Sequence, residues 1–267
     1  MSLNKKDYSV FGNSVICFSR KDKRKIEKMK GKVSIISTVC PDYPSDGYQY
    51  TFDGQLGVGV SLTTQLHLRS VPKMLDIFKQ MGIDPFWIIL VADLPELTKD
   101  QKEFYNRVAG SKEEYLKRCE QSVLEIRKNV NYDAVVKTFS SFYGDLGIPY
   151  LGVQEKTALN ILEKTKVDTK FGGRFMNFVA QRRSLAEKFR GKRLSDEELR
   201  QAGAHGISLY ATHGSLLRKI YLNQNLIIIN HLTINLQNFF AYEFVDGCEI
   251  IQHMQKFPVG VLDEDLY

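Results

Sequence analysis

The sequence predicts an α/β fold: one domain built on a parallel sheet flanked by helices, with helical insertions. Short, largely apolar runs at 33–39 (VSIISTV), 87–91 (WIILV), 135–139 (VVKTF) and 225–230 (NLIIIN) read as strands. Between them lie longer stretches whose apolar residues recur at helical spacing. Strands separated by helices pair in parallel, because the crossover returns the chain to the same end of the sheet. Runs without polar alternation imply that both faces of the sheet are covered. No internal repeat or polar linker divides the chain, so residues 1–267 read as a single domain. Residues 1–32 read as a basic N-terminal arm, ending in RKDKRKIEKMKGK.

The first strand, 33–39, is β-branched and stops at Cys40-Pro41, where proline ends pairing. Residues 44–59 are rich in Gly, Tyr and Asp and read as a loop. The stretch 57–63 (GVGVSLT) fits either a strand or a tight turn. Ser70 can cap a helix with Pro72 in its first turn, where the missing N–H costs nothing. Val71, Met74, Leu75, Phe78 and Met81 form its apolar face, and Gly82 ends it. The second strand runs into Ala92-Asp93. Ser111 with Glu114 predicts a capped helix to about Val130, and Ser195 with Glu198 predicts another start. Helical patterns cover 154–166 and 173–190. The apolar tail, 232–257, reads as a helix.

Composition bounds the function. The 267 residues are 43% hydrophobic and 25% charged, which excludes a disordered or fibrous chain. Cys17, Cys40, Cys119 and Cys248 are widely spaced and imply no disulfide framework. No apolar stretch is long enough to span a membrane, and the N-terminus lacks a signal-peptide core. The expectation is a cytoplasmic protein with no membrane partner. His205, His213, His231 and His253 lack metal-ligand spacing, and no Walker A or GxGxxG occurs in register. No metal or cofactor is expected.

Ligands of open α/β sheets bind outside the carboxyl ends of the strands. The residues there are Cys40, Asp42 and Tyr43 after the first strand, and Asp93 after the second. Ser140 and Ser141 follow the third, and Asn230 and His231 the fourth. Cys40 beside Asp42 is a candidate nucleophile.

Gly59 to Asp93 resembles the start of a class I aminoacyl-tRNA synthetase catalytic domain, most like the tyrosyl and tryptophanyl branch. Leu66-His67-Leu68-Arg69-Ser70 lies on the His-x-Gly-His signature, with His67 on its first His. Arg69 stands where the Gly would be, and Ser70 where the second His would be. Phe78-Lys79-Gln80-Met81-Gly82 and Val91-Ala92-Asp93 match the helix end and the strand end. The resemblance covers about 35 residues and implies a Rossmann-like nucleotide-binding fold. The Lys-Met-Ser-Lys-Ser signature has one lookalike, Gly191-Lys192-Arg193-Leu194-Ser195, which precedes the last strand instead of following it.

The tRNA-dependent cyclodipeptide synthases share that fold without either ATP signature and have a similar length. This resemblance implies a catalytic Ser after the first strand, for which Ser37 and Ser61 are candidates. It also implies a Tyr-x-x-x-Glu motif, resembled by Tyr210-Ala-Thr-His213-Gly214 with Gly in place of Glu. The candidate catalytic residues are therefore Ser37, Cys40, Asp42, Tyr210 and His213. Tyr43, Ser61, His67, Asp93, Asn230 and His231 are candidates for substrate binding. The implied activity is aminoacyl transfer from aminoacyl-tRNA to a small peptide-like product. The alternatives are an ATP-dependent adenylyl transferase and a non-catalytic nucleotide- or RNA-binding protein.

The chain carries 37 Lys and Arg against 31 Asp and Glu, a net +6. Arg174, Arg182, Arg183, Lys188, Arg190, Lys192 and Arg193 face a single acid, Glu187, within 174–193. Phe175, Phe178, Val179 and Leu185 form an apolar stripe there, which leaves most of the cations on the other side. Such a run suits phosphate contacts with aminoacyl-tRNA or another phosphate-rich ligand. A small-molecule substrate is the second expected partner.

Overall fold

The computed structural model describes residues 24, 26–39, 49–50, 60–93, 111–173, 175–176, 179, 195–221, 224–232 and 251–256. Its elements are β1 (Gly31–Val39), β2 (Gln49–Tyr50), β3 (Val60–Ser61), α1 (Leu62–Gln80), β4 (Ile83–Val91) and α2 (Lys112–Asn129). They continue as β5 (Ala134–Thr138), α3 (Phe139–Asp145), α4 (Tyr150–Val167), α5 (Asp196–Ile220), β6 (Asn225–Leu232) and β7 (Ile251–Lys256).

Five strands form one sheet in the order β5-β4-β1-β6-β7, and every pairing is parallel. Numbered by their order in the chain, these strands run 3-2-1-4-5. That is the Rossmann-like, doubly wound order, and the winding reverses between β1 and β6. Because winding reverses, helices cover both faces. On one face α1 and α2 pack with Val33, Ile35, Trp87, Ile89 and Ile227. On the other, α3, the start of α4 and the end of α5 enclose Ile36, Ile88, Leu90, Leu226 and Ile228. A third core joins α4 and α5 to Phe171, Phe175 and Val179.

The strands arise largely where the apolar runs place them, and the differences are tertiary. β4 begins at Ile83 and includes Pro85. β5 pairs only with Trp87–Val91, so Pro85 sits where β4 has a single neighbour and proline is tolerated. β5 ends at Thr138, whose hydroxyl caps α3, so Phe139 opens a helix instead of closing a strand. The outer carbonyl of Val136 on this edge strand accepts from Arg127 Nη2 and Nε, at 2.6 and 3.2 Å. An exposed strand edge is thereby covered.

Several expectations are corrected. Ser70 does not cap α1, which starts at Leu62 with Pro72 inside it. Burial of Leu68, Val71, Leu75 and Phe78 along one stripe outweighs the hydrogen bond that Pro72 cannot make. The segment 44–59 is not wholly loop, because Gln49–Tyr50 pairs antiparallel with Val60–Ser61. α4 begins at Tyr150, four residues before the expected start. The tail is not helical at 251–256: β7 pairs with the free edge of β6, a partner that local periodicity cannot reveal. The basic arm ends docked, with Ile26 buried in the core beneath α1 and α2. The helix expected at 173–190 lies mostly outside the described residues.

The caps predicted at Ser111 and Ser195 are present. Ser111 Oγ accepts from the Glu114 N–H at 3.1 Å. Ser195 and Glu198 form a reciprocal capping box, which starts the 25-residue α5. At about 1.5 Å per residue α5 is roughly 37 Å long, enough to reach from the third core down to the sheet.

Candidate functional site

In sheets of this kind ligands bind at the carboxyl ends of the strands where the winding reverses, here between β1 and β6. The connection from β1 runs over one face through α1, and the one that leads into β6 runs over the other through α3, α4 and α5. Thr38, the penultimate residue of β1, stands at this point in register with Asn230 of β6. β1 is buried on both faces, so its consecutive polar residues point to opposite layers. Ser37 points toward α1 and α2, and its Oγ accepts a hydrogen bond from Trp87 Nε1 at 2.8 Å. Thr38 points toward α5, and its Oγ1 lies 3.1 Å from His213 Nε2.

His213 Nδ1 in turn lies 2.6 Å from the Tyr143 hydroxyl on α3. Its ring stacks on Phe139 at 4.6 Å, and Tyr143 stacks on Tyr150 at 4.7 Å. Three elements distant in sequence thus converge on one imidazole. Complete burial pushes the His213 ring down to about 3, so it is neutral near pH 7. Burial also holds the Tyr143 phenol well above its ordinary value, so it keeps its proton. A neutral ring has one N–H and one acceptor nitrogen. Either Tyr143 donates to Nδ1 while Nε2–H donates to Thr38, or Thr38 donates to Nε2 while Nδ1–H donates to Tyr143. Passing a proton along the whole line therefore needs a proton supplied at one end and taken up at the other.

Asp93 follows β4 at the same edge of the sheet and is buried. Desolvation raises its carboxyl above the usual range, opposed by hydrogen bonds from Ser140 and Thr138. Its Oδ1 accepts the Ser140 N–H at 3.0 Å. The adjoining Ala92 carbonyl accepts from Tyr115 Oη, also at 3.0 Å. Asp93 therefore ties the exit of β4 to the start of α3, the helix that carries Tyr143.

The sequence-derived candidates divide accordingly. His213 is at the point where the winding reverses, bonded to Thr38, and Asp93 follows the neighbouring strand β4. Ser37 is fully buried on the opposite face and bonded to Trp87. Asn230 and His231 do not follow a strand: they lie within β6, which runs on to Leu232 because β7 pairs with it. Ser61 ends β3 and His67 lies in the second turn of α1, while Tyr210 lies on α5 one turn before His213. Cys40, Asp42, Tyr43, Arg174, Arg182, Arg183, Lys188, Arg190, Lys192 and Arg193 lie outside the described residues.

Thr38 and Tyr143 carry two of the three polar groups and were not singled out. Thr38 had one signal, a polar residue near the exit of a buried strand. Tyr143 had none, since its partner is 70 residues away. Among the described residues, no three His, Cys, Asp or Glu side chains gather as a metal site. No helix among them is long and apolar enough to cross a membrane.

No family model matches the sequence, and no curated protein matches it. Among solved structures, the chain is similar to a CDPS (cyclodipeptide synthase) from Staphylococcus haemolyticus. The two are 15% identical with a TM-score of 0.44, over 91% of this chain and 97% of that one.

Proposed function

We propose that the chain is an aminoacyl transferase of the cyclodipeptide-synthase type, which takes its acyl group from aminoacyl-tRNA. The observation that carries this reading is the Thr38–His213–Tyr143 line at the point where the sheet reverses its winding. The resemblance of residues 59–93 to the synthetase catalytic domain supports it. So does the run of cations from Arg174 to Arg193, which is suited to tRNA phosphates.

In this reading the reacting hydroxyl is that of Thr38, because Ser37 is fully buried in the opposite layer, where its oxygen accepts from Trp87. The Thr38 oxygen attacks the ester carbonyl, and the bond to the terminal ribose oxygen breaks. The threonine proton passes by way of His213 Nε2 to the leaving ribose oxygen, while Tyr143 keeps its own proton and holds Nδ1. The neutral ring acts here as a relay. With its pKa held near 3, it does not store a proton between steps. The amine of a second aminoacyl-tRNA then takes the acyl group and gives a proton to the Thr38 oxygen, and the free amine of the resulting dipeptidyl-tRNA attacks its own ester, closing the ring and releasing the second tRNA with its ribose oxygen protonated. Asp93 holds α3, and with it Tyr143, in place.

The test is transfer from tRNA charged with radiolabelled amino acids, followed by mass spectrometry of the small-molecule fraction. Label should leave the tRNA as dipeptide-sized product. Arg182→Glu with Arg183→Glu should weaken tRNA binding and flatten its salt dependence. Label lost only at the rate of spontaneous ester hydrolysis would exclude the transferase reading. ATP–pyrophosphate exchange would replace it with adenylyl transfer.

A further inference from the structure

α4 is apolar round most of its circumference: Leu151, Val153, Leu159, Ile161 and Val167 do not fall into one stripe. A helix of that kind is normally covered on more than one side. Within the chain α4 packs against α5 and, at its start, against α3. Among the described residues six large hydrophobic side chains are exposed. Four of them, Leu146, Leu151, Leu159 and Val167, lie on α4 or in the turn before it. Scattered singly, such residues are ordinary, but their grouping on one element marks a surface made for contact.

One flank of α4 is complementary to itself. At about 100° per residue, Leu151, Glu155, Leu159, Leu162 and Lys166 fall within about 80° of one another. They lie beside the strip of Gln154, Ala158 and Ile161 that α4 buries. Leu159 is 59% exposed, and Leu162 is partly buried at the margin of the third core. Glu155 and Lys166 are exposed. Lys166 Nζ reaches Glu163 on its own helix at 2.6 Å, but an exposed pair of that kind is too weak to keep the ammonium from a second carboxylate. The midpoint between Leu159 and Leu162 is also the midpoint between Glu155 and Lys166. A two-fold axis through that point lays α4 antiparallel on a copy of itself. Leu159 then meets Leu162 of the second copy, and Glu155 meets its Lys166, each contact being made twice. With one acid and one base, the flank has no net charge to draw it to nucleic acid or an anionic membrane. It matches a surface bearing the same two leucines with the charges in reverse order, which an antiparallel copy supplies.

We propose that this flank of α4 is an isologous interface through which two copies of the chain associate. The interface is independent of the aminoacyl-transfer reading. One helix against its copy is smaller than a standard interface, so the dimer is weak, with a Kd of about 10–100 μM.

Sedimentation equilibrium of the full chain from about 5 to about 500 μM spans that range. The wild type should pass from monomer to dimer and go no further, because a two-fold contact closes on itself. Leu159→Glu should weaken association at least about tenfold, since it sets a carboxylate against Leu162 of the second copy. Glu155→Lys and Lys166→Glu should each do the same, because each turns both cross-pairs into like charges. The replaced side chains are exposed, so melting curves of all three variants should match the wild type. An equimolar mixture of Glu155→Lys and Lys166→Glu should form the dimer that neither forms alone. One copy then carries two lysines at the facing positions and the other two glutamates. A wild type that stays monomeric to the highest concentration overturns the proposal. So does a dimer that survives Leu159→Glu or either charge reversal, a mixture that stays monomeric, or association that continues past the dimer. The transferase reading is decided separately, by the tRNA transfer assay.

Discussion

Replacing His213 with glutamine removes one titrating group from the middle of the molecule while keeping a donor and an acceptor for Tyr143 and Thr38. The folded ring has a pKa of about 3, against 6.5 when exposed. A depressed histidine stabilises the fold fully above pH 6.5. As the pH falls below that value the unfolded chain takes up a proton that the folded chain refuses. Stability is then lost continuously toward pH 3, by about tenfold in the folding equilibrium per pH unit. Between pH 7 and pH 5 the loss from this residue is about 2 kcal/mol, or roughly 4–8 °C in melting temperature for a chain of this size. Other groups contribute as well, and Asp93 acts in the opposite sense because burial raises its folded value. The informative quantity is therefore the wild type minus the variant. Urea unfolding of both at pH 7 and pH 5, at constant ionic strength, should show the wild type losing about 2 kcal/mol more. Equal losses would mean that His213 is not held neutral, and the relay drawn through it would fail.

Ser195→Ala removes half of the reciprocal cap on α5 and should cost about 1 kcal/mol, readable as a shift of the urea midpoint. Gly172→Ala should cost more, about 1–3 kcal/mol, because its Cβ would lie 2.8 Å from the carbonyl oxygen of Thr165, a backbone atom with little room to yield. Gly173→Ala, with open space at its Cβ, should leave stability within about 0.5 kcal/mol of wild type in the same assay.

The central strands were legible because their runs are apolar on both faces, a local signature of a parallel sheet. The two caps were legible because each places a hydroxyl three residues before a carboxylate. Pro72 misled because proline at a helix start is locally cheap, whereas the helix observed around it is held by its contact with the sheet. β7 was misread because a strand added to an open edge owes its existence to β6.

The site divides along the same line. Asp93 and His213 could be proposed from the end of an apolar run and from a motif resemblance. Alone, the chain determined that a parallel α/β sheet forms, that polar groups crowd its strand exits, and that cations gather between 174 and 193. Only the tertiary structure decided the strand order, the place where winding reverses, and the meeting of Thr38 with a histidine 175 residues away. It also decided that Ser37 and Thr38, neighbours in one strand, serve different layers. Periodicity is a local property and reports which residues are buried. Which buried residues meet depends on how crossovers stack the strands, and no stretch of sequence records that by itself.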